Sequence, residues 1–351
     1  MFLNHRYLPC ATLLLLTSGV LMLSKTSMAA SCKTQSQMTA SERDALAGAA
    51  RAMVAEVQSG DVQGLRENTI PEVAADFAGI ADSVGSLKTI MLHATVTVDS
   101  LYELDAPAES QAAAQTDFYC GTPVVVLNLT NLPPGTYALV ILHVTGVPKP
   151  QQISLILSEA GEHRWMLGGF YSRPMAEAGH DGLWYWVSAR NYAQRSMNWN
   201  AWLYYRVAAN SLDPVDFLSS PNLEKLQHEA DHVRPDNLPG TKPLMLSTTS
   251  SAFQVTTIDT TAIFGALDLE VHYIPDTAQT AELRDPPTAR KQVAEVMLAL
   301  LALHPELHDA FHGIFVQADR GSTVVFSMEL PMDQIGPGTQ PLAITSNSPA
   351  Q

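Results

Sequence analysis

The segment His228-Glu229-Ala230-Asp231-His232 sets two imidazoles four residues apart, on one face of a helix, with a carboxylate between them. Zinc proteases use that spacing to hold a metal and activate water. The neighbours argue against a dry metal shell, because Lys225, Gln227, Asp231 and Arg234 surround the pair and Pro235 ends the helix at once. A His near a helix C-terminus, as His232 is, also sits favourably against the helix dipole. The sequence therefore assigns no metal site, and a zinc hydrolase working through His228, Glu229 and His232 is kept as an alternative. His304, His308 and His312 step by four as well. Pro305 marks a helix start that leaves His304 outside it, and the other two fit a surface pair better than a ligand pair.

A second group of polar residues falls on segments of strand character: His93, Asp99, Tyr102, Tyr119, Asn128, His143 and Tyr171. Of these, His93, Asp99, Tyr102, His143 and Tyr171 are candidates for lining a pocket, where an acid paired with a His or Tyr could move a proton. Their inward or outward direction depends on strand register, since a slip of one residue reverses it. No Gly-x-Ser-x-Gly elbow, phosphate-binding loop or dinucleotide fingerprint is present, so no catalytic residue and no cofactor are assigned. Trp184, Trp186, Trp199 and Trp202 could hold a sugar or peptide, but their helical spacing is more typical of a core.

The elements that must carry these residues begin after residues 1–30, which have the form of a cleavable secretory signal. One Arg precedes an apolar run over 11–23, and small residues at Ala29 and Ala30 offer a cleavage site. The run is short for a membrane span, and no later run reaches spanning length, so no membrane span is expected in the mature chain. Export to the periplasm or beyond is the expected localisation. With Cys10 in the signal, Cys32 and Cys120 remain, and in an oxidising compartment they most simply pair. Lipidation of Cys32 is the competing use, although Ala29-Ala30-Ser31 lacks the Leu of a lipobox. The chain has 20 basic and 35 acidic residues, a net charge of −15. Removing Arg6 and Lys25 with the signal leaves −17, which disfavours nucleic acid and anionic lipid as partners.

Downstream, Leu46, Ala49, Ala50, Met53, Val54 and Val57 recur at helical spacing and Gly60-Asp61 stops the helix. Short helices are expected over 62–67 and 72–84. The period then changes to that of strands over 94–104, 118–120, 124–129, 137–144, 152–157 and 164–171, the last two joined by a hairpin at Ala160-Gly161. Helices followed by an antiparallel meander predict an α+β domain over 40–175. The Gln58-Ser59-Gly60-Asp61 stop followed by Leu65-Arg66, with the closing Trp165-Met166-Leu167-Gly168-Gly169-Phe170-Tyr171, resembles the nuclear transport factor two-like (SnoaL-like) superfamily. The resemblance covers about a third of the chain. It implies a curved sheet wrapped on a helix to make a cone with a pocket, and no particular activity.

Residues 180–234 turn helical and aromatic. Small residues at 189, 201 and 208, aromatics at 185, 192 and 205, and Pro214 resemble a single tetratricopeptide repeat, with a third helix expected over 222–233. Beyond Pro235, Pro239, Gly240 and Pro243, strands over 252–258 and 267–273, a helix over 290–303, and strands over 313–318 and 323–330 predict a small ββαββ domain spanning 244–335. The tail, 336–351, is Pro/Gly/Ser-rich and expected to be disordered. The leading expectation is an exported, non-enzymatic binding or assembly protein with a protein partner at the helical segment. A small-molecule binder or enzyme using the cone pocket is the alternative beside the zinc hydrolase.

Overall fold

The computed structural model describes residues 30–108, 114–161, 164–249 and 251–336. The expected signal over 1–30 and the expected disordered tail over 336–351 lie outside the described residues, apart from Ala30 and Gly336. Strand β1 (Ser31–Thr34) leads into helix α1 (Ala40–Ser59). The helix starts at a reciprocal cap: the Thr39 hydroxyl accepts from the Glu42 N–H, and the Glu42 carboxylate accepts from the Thr39 N–H. It ends where Gly60 takes the left-handed conformation at φ 77°, which a side chain would resist. The expected helix over 62–67 is α2 (Val62–Glu67). The stretch over 72–84 is instead two helices, α3 (Pro71–Ala74) and α4 (Ala78–Ile90), separated at Ala75-Asp76-Phe77.

Strands β2 (Thr95–Ala106), β3 (Gln115–Cys120), β4 (Val125–Thr130), β5 (Gly135–Thr145), β6 (Gln151–Glu159) and β7 (Trp165–Pro174) follow. They are not one meander. The main sheet runs β1-β2-β5-β6-β7, and the β3–β4 hairpin leaves it to form a separate three-stranded sheet with β10 (Leu218–Ser219). One face of the main sheet, through Val140, Leu142, Ile153 and Leu155, packs on Leu46, Val54, Val57 and Val84 of the helices. The other face, through Leu104, Leu139, Ile141 and Ile156, packs on Phe118 and Leu127 of the small sheet and on Val215 and Leu218. That two-sided burial explains why β5 is an almost unbroken apolar run.

After the small hairpin β8 (Ala176–Glu177) and β9 (His180–Asp181) come helices α5 (Gly182–Gln194) and α6 (Asn198–Leu212), then α7 (Pro221–His232). Ala189, Ala201 and Ala208 are fully buried. At Gly182 an added Cβ would lie 2.6 Å from Leu212, so the pair closes at its open end only because that position is glycine. The last sheet has five strands rather than four: β11 (Leu244–Ser247), β12 (Ala252–Thr261), β13 (Asp268–Ile274), β14 (Gly313–Arg320) and β15 (Thr323–Pro331), in that order. Helices α8 (Thr277–Glu282) and α9 (Pro286–Leu303) cross from β13 to its parallel neighbour β14. Helix α9 begins four residues before the expected start, because Asp285 caps it and Pro286 is tolerated in a first turn whose N–H groups are free.

The helical segment is not a unit apart from the last sheet. Tyr185, Trp199, Tyr204 and Leu226 share one continuous core with Val255, Val271, Val293 and Ile314. Asn200 and Tyr204 donate to the carbonyls of Glu306 and Ala310, each at 2.6 Å.

Candidate functional site

The histidine pair of α7 points outward and its glutamate points inward. His228 and His232 are exposed, whereas the Glu229 carboxylate accepts Arg190 Nε at 2.7 Å and Nη2 at 2.8 Å, Trp186 Nε1 at 2.7 Å and the Tyr205 hydroxyl at 3.3 Å. The hydrogen bond from Arg190 holds Glu229 below the usual carboxylate range against the opposing effect of burial. Arg190 also lies over the Trp186 ring at 4.5 Å. Glu229 thus ties α7 to the α5–α6 pair, facing away from the two exposed histidines. Among the described residues, the one grouping of three or more potential ligands lies elsewhere, at Asp268, His312 and Glu329.

His304 precedes the 3-10 turn Pro305–Asp309, as expected. It is buried against Trp199 and within 3.1 Å of Asn237, and burial lowers its pKa. His308 and His312 are both exposed.

The five pocket candidates of the first domain do not converge. Asp99 occupies the bulge where β2 shifts register against β5, and His143 Nδ1 lies 3.8 Å from its carboxylate, with Gln152 on the far side of the ring at 3.3 Å. His93 stands in the exposed turn before β2 at φ 65°. Tyr102 borders a depression beside the disulfide, and Tyr171 stacks edge-on against Phe217 at 5.4 Å. Tyr119 is exposed, and Asn128 donates to Asp117. Both faces of the main sheet are covered, one by the helices and the other by the small sheet.

Cys32 and Cys120 form a disulfide with their Cα atoms 5.2 Å apart, joining β1 of the main sheet to the end of β3 in the small one. The bond fits an extracellular or otherwise oxidising compartment. No helix among the described residues is long and apolar enough to cross a membrane.

Two surfaces stand out beyond these residues. A groove of about 710 Å³ lies between the β5–β6 turn, β8, α6 and the end of β12. Its charges are of both signs: Lys149 and Arg206 face Glu177, Asp259 and Glu270, and Arg206 pairs with Asp259 at 2.7 Å. Burial raises the Glu177 pKa and Lys149 opposes it. On α5, Leu183 is 59% exposed, Trp184 40% and Val187 55%, with His180 stacked on one side of the Trp184 ring at 3.6 Å and Tyr204 of α6 at 6.1 Å. Trp186 and Trp199 are core residues, and Trp202 is half-buried under Arg206.

No family model, curated protein or solved structure matches this chain. Its chemistry must be argued from its own side chains. Sequence reasoning passed over Arg190, whose partner is 39 residues away, and Asp268 and Glu329, which sit on two different strands. The available signal was polar residues in otherwise apolar strand patterns, and it gave no partner.

Proposed function

We propose that this is an exported, non-enzymatic assembly protein that docks a basic-rimmed partner protein on the outer face of α5. The observation that carries this reading is the exposed apolar triad Leu183, Trp184 and Val187, on a helix whose opposite face is anchored in the core. Contiguous exposed apolar side chains that include a Trp are typical of interaction sites. The α5–α6–α7 bundle is rigid under the patch because Glu229 locks three of its side chains. Self-association is opposed by charge, since each copy without its signal carries −17 (18 basic against 35 acidic residues), and the same charge favours a partner rimmed with Lys and Arg. The covering of both faces of the main sheet supports a scaffold role for the first domain.

A photo-crosslinking amino acid at position 187, with one at exposed position 82 as control, tests this in the producing cell. One discrete adduct with another exported protein is expected from 187 and none from 82. The purified pair should lose at least about tenfold in affinity with Trp184→Ala. An adduct with a second copy only, no adduct, or an affinity untouched by Trp184→Ala would overturn the reading.

A further inference from the structure

We propose that Asp268, His312 and Glu329 bind one divalent transition-metal ion, zinc being the ion their donor set fits. The three residues come from neighbouring strands at one end of the last sheet: Asp268 opens β13, His312 immediately precedes β14, and Glu329 lies on β15. One ligand atom from each lies within 4.8 Å of the others. Gly313 makes the meeting possible. A Cβ there would come within 2.6 Å of Glu329 Oε1 and 3.0 Å of Asp268 Oδ1, so the two carboxylates converge over the bare backbone of the central strand.

The pair is short of partners. The Asp268 side chain is 0% exposed, and its Oδ2 has no hydrogen bond. Glu329 Oε1 is buried and also without a partner. Among the described residues no Lys or Arg forms an ion pair with either carboxylate, and the one basic group beside them is His312, with Nδ1 at 3.1 Å from Asp268 Oδ1. A buried carboxylate facing a half-buried one without a Lys or Arg is costly, and a bound metal ion offsets that cost.

The framework is fixed before any ion arrives. The His312 N–H donates to the Leu267 carbonyl at 2.9 Å, and the His312 carbonyl accepts from the Met332 N–H at 2.8 Å, so its backbone is held by both flanking strands. Donors around a tetrahedral ion with bonds of about 2.0–2.1 Å lie about 3.3 Å apart. The 3.1 Å between Nδ1 and Oδ1 is close to that spacing. An imidazole with two carboxylates suits zinc and its transition-metal neighbours, whereas calcium takes six to eight oxygens and magnesium several waters. The His312 side chain is 53% exposed, which leaves the fourth position open to water.

The test is calorimetric titration of chelator-treated full-length protein with Zn²⁺ and, separately, Mg²⁺ at neutral pH. One equivalent of Zn²⁺ should bind, with no comparable Mg²⁺ binding, and Zn²⁺ should raise the thermal midpoint. His312→Ala should weaken binding at least about tenfold and abolish the thermal shift. Its half-exposed side chain makes it the variant most certain to fold, and Glu329→Gln is the second. The double variant His228→Ala/His232→Ala should bind as the parent does. Absence of stoichiometric zinc, binding that survives both His312→Ala and Glu329→Gln, or loss of binding in the α7 double variant would each overturn the assignment.

Discussion

Glu229 follows His228 in the sequence and faces the other way in space. Two exposed imidazoles remain on one side of α7, and on the other a carboxylate accepts from three side chains. Removing it leaves Arg190 without its acceptor and the Trp186 and Tyr205 donors unpaired in a partly buried place. Glu229→Ala should therefore lower stability by about 2 kcal/mol, as read from urea unfolding. His228→Ala and His232→Ala should each stay within about 0.5 kcal/mol of the parent. A zinc hydrolase would show the reverse, with Glu229→Ala stable but inactive. The His spacing was legible in the sequence, and so was the polar context that argued against a metal. What Glu229 does was not, because its partners lie 24 to 43 residues upstream and only the packing of three helices brings them together.

At the scale of elements, the sequence located most strands and helices to within a few residues, because period and punctuation are local properties. The errors fell where tertiary contacts decide. Nothing local told β3 and β4 to leave the main sheet, nor β4 to pair Leu127 with Leu218 of a two-residue strand, nor marked β11, four residues long at the sheet's edge, as a strand. The C-terminal end of α6 shows what such packing does to a charge. Asp213 closes that helix under the main sheet, and burial pushes its carboxyl up to about 6, opposed by Arg173 from β7 and the Val215 N–H and reinforced by Asp216. The folded state then holds a proton that the unfolded chain releases near 4, so this group's contribution to stability falls as pH rises from about 4 to about 6. Asp213→Asn should accordingly be more favourable relative to the parent at pH 7 than at pH 4 in denaturant midpoints. An unchanged difference across that range would show that the carboxylate is solvated.

The whole molecule has two separately packed halves. The cores of the main sheet belong to the first, with Val215 and Leu218 inserted from the α6–α7 connection, while α5, α6, α7, α9 and the last sheet share a single core in the second. Between them run the β10–β4 pairing, the 2.5 Å ion pair of Arg173 with Asp216, and the hydrogen bond from Ser154 to the Pro214 carbonyl. The disulfide spans 88 residues, all in the first half. Loop-closure entropy assigns it about 4.6 kcal/mol, and that stabilisation belongs to the half it closes. In the Cys32→Ser/Cys120→Ser variant, amide exchange should therefore quicken across β2, β5, β6 and β7 and in β10, which depends on β4. Protection in α6, α9 and β12 to β15 should hold at the parent's level. Mass spectrometry of exchanged peptides separates the outcomes. Uniform loss of protection would mean that the short junction around β10 couples the halves into one cooperative unit, and the two cores would then share a fate that their separate packing does not require.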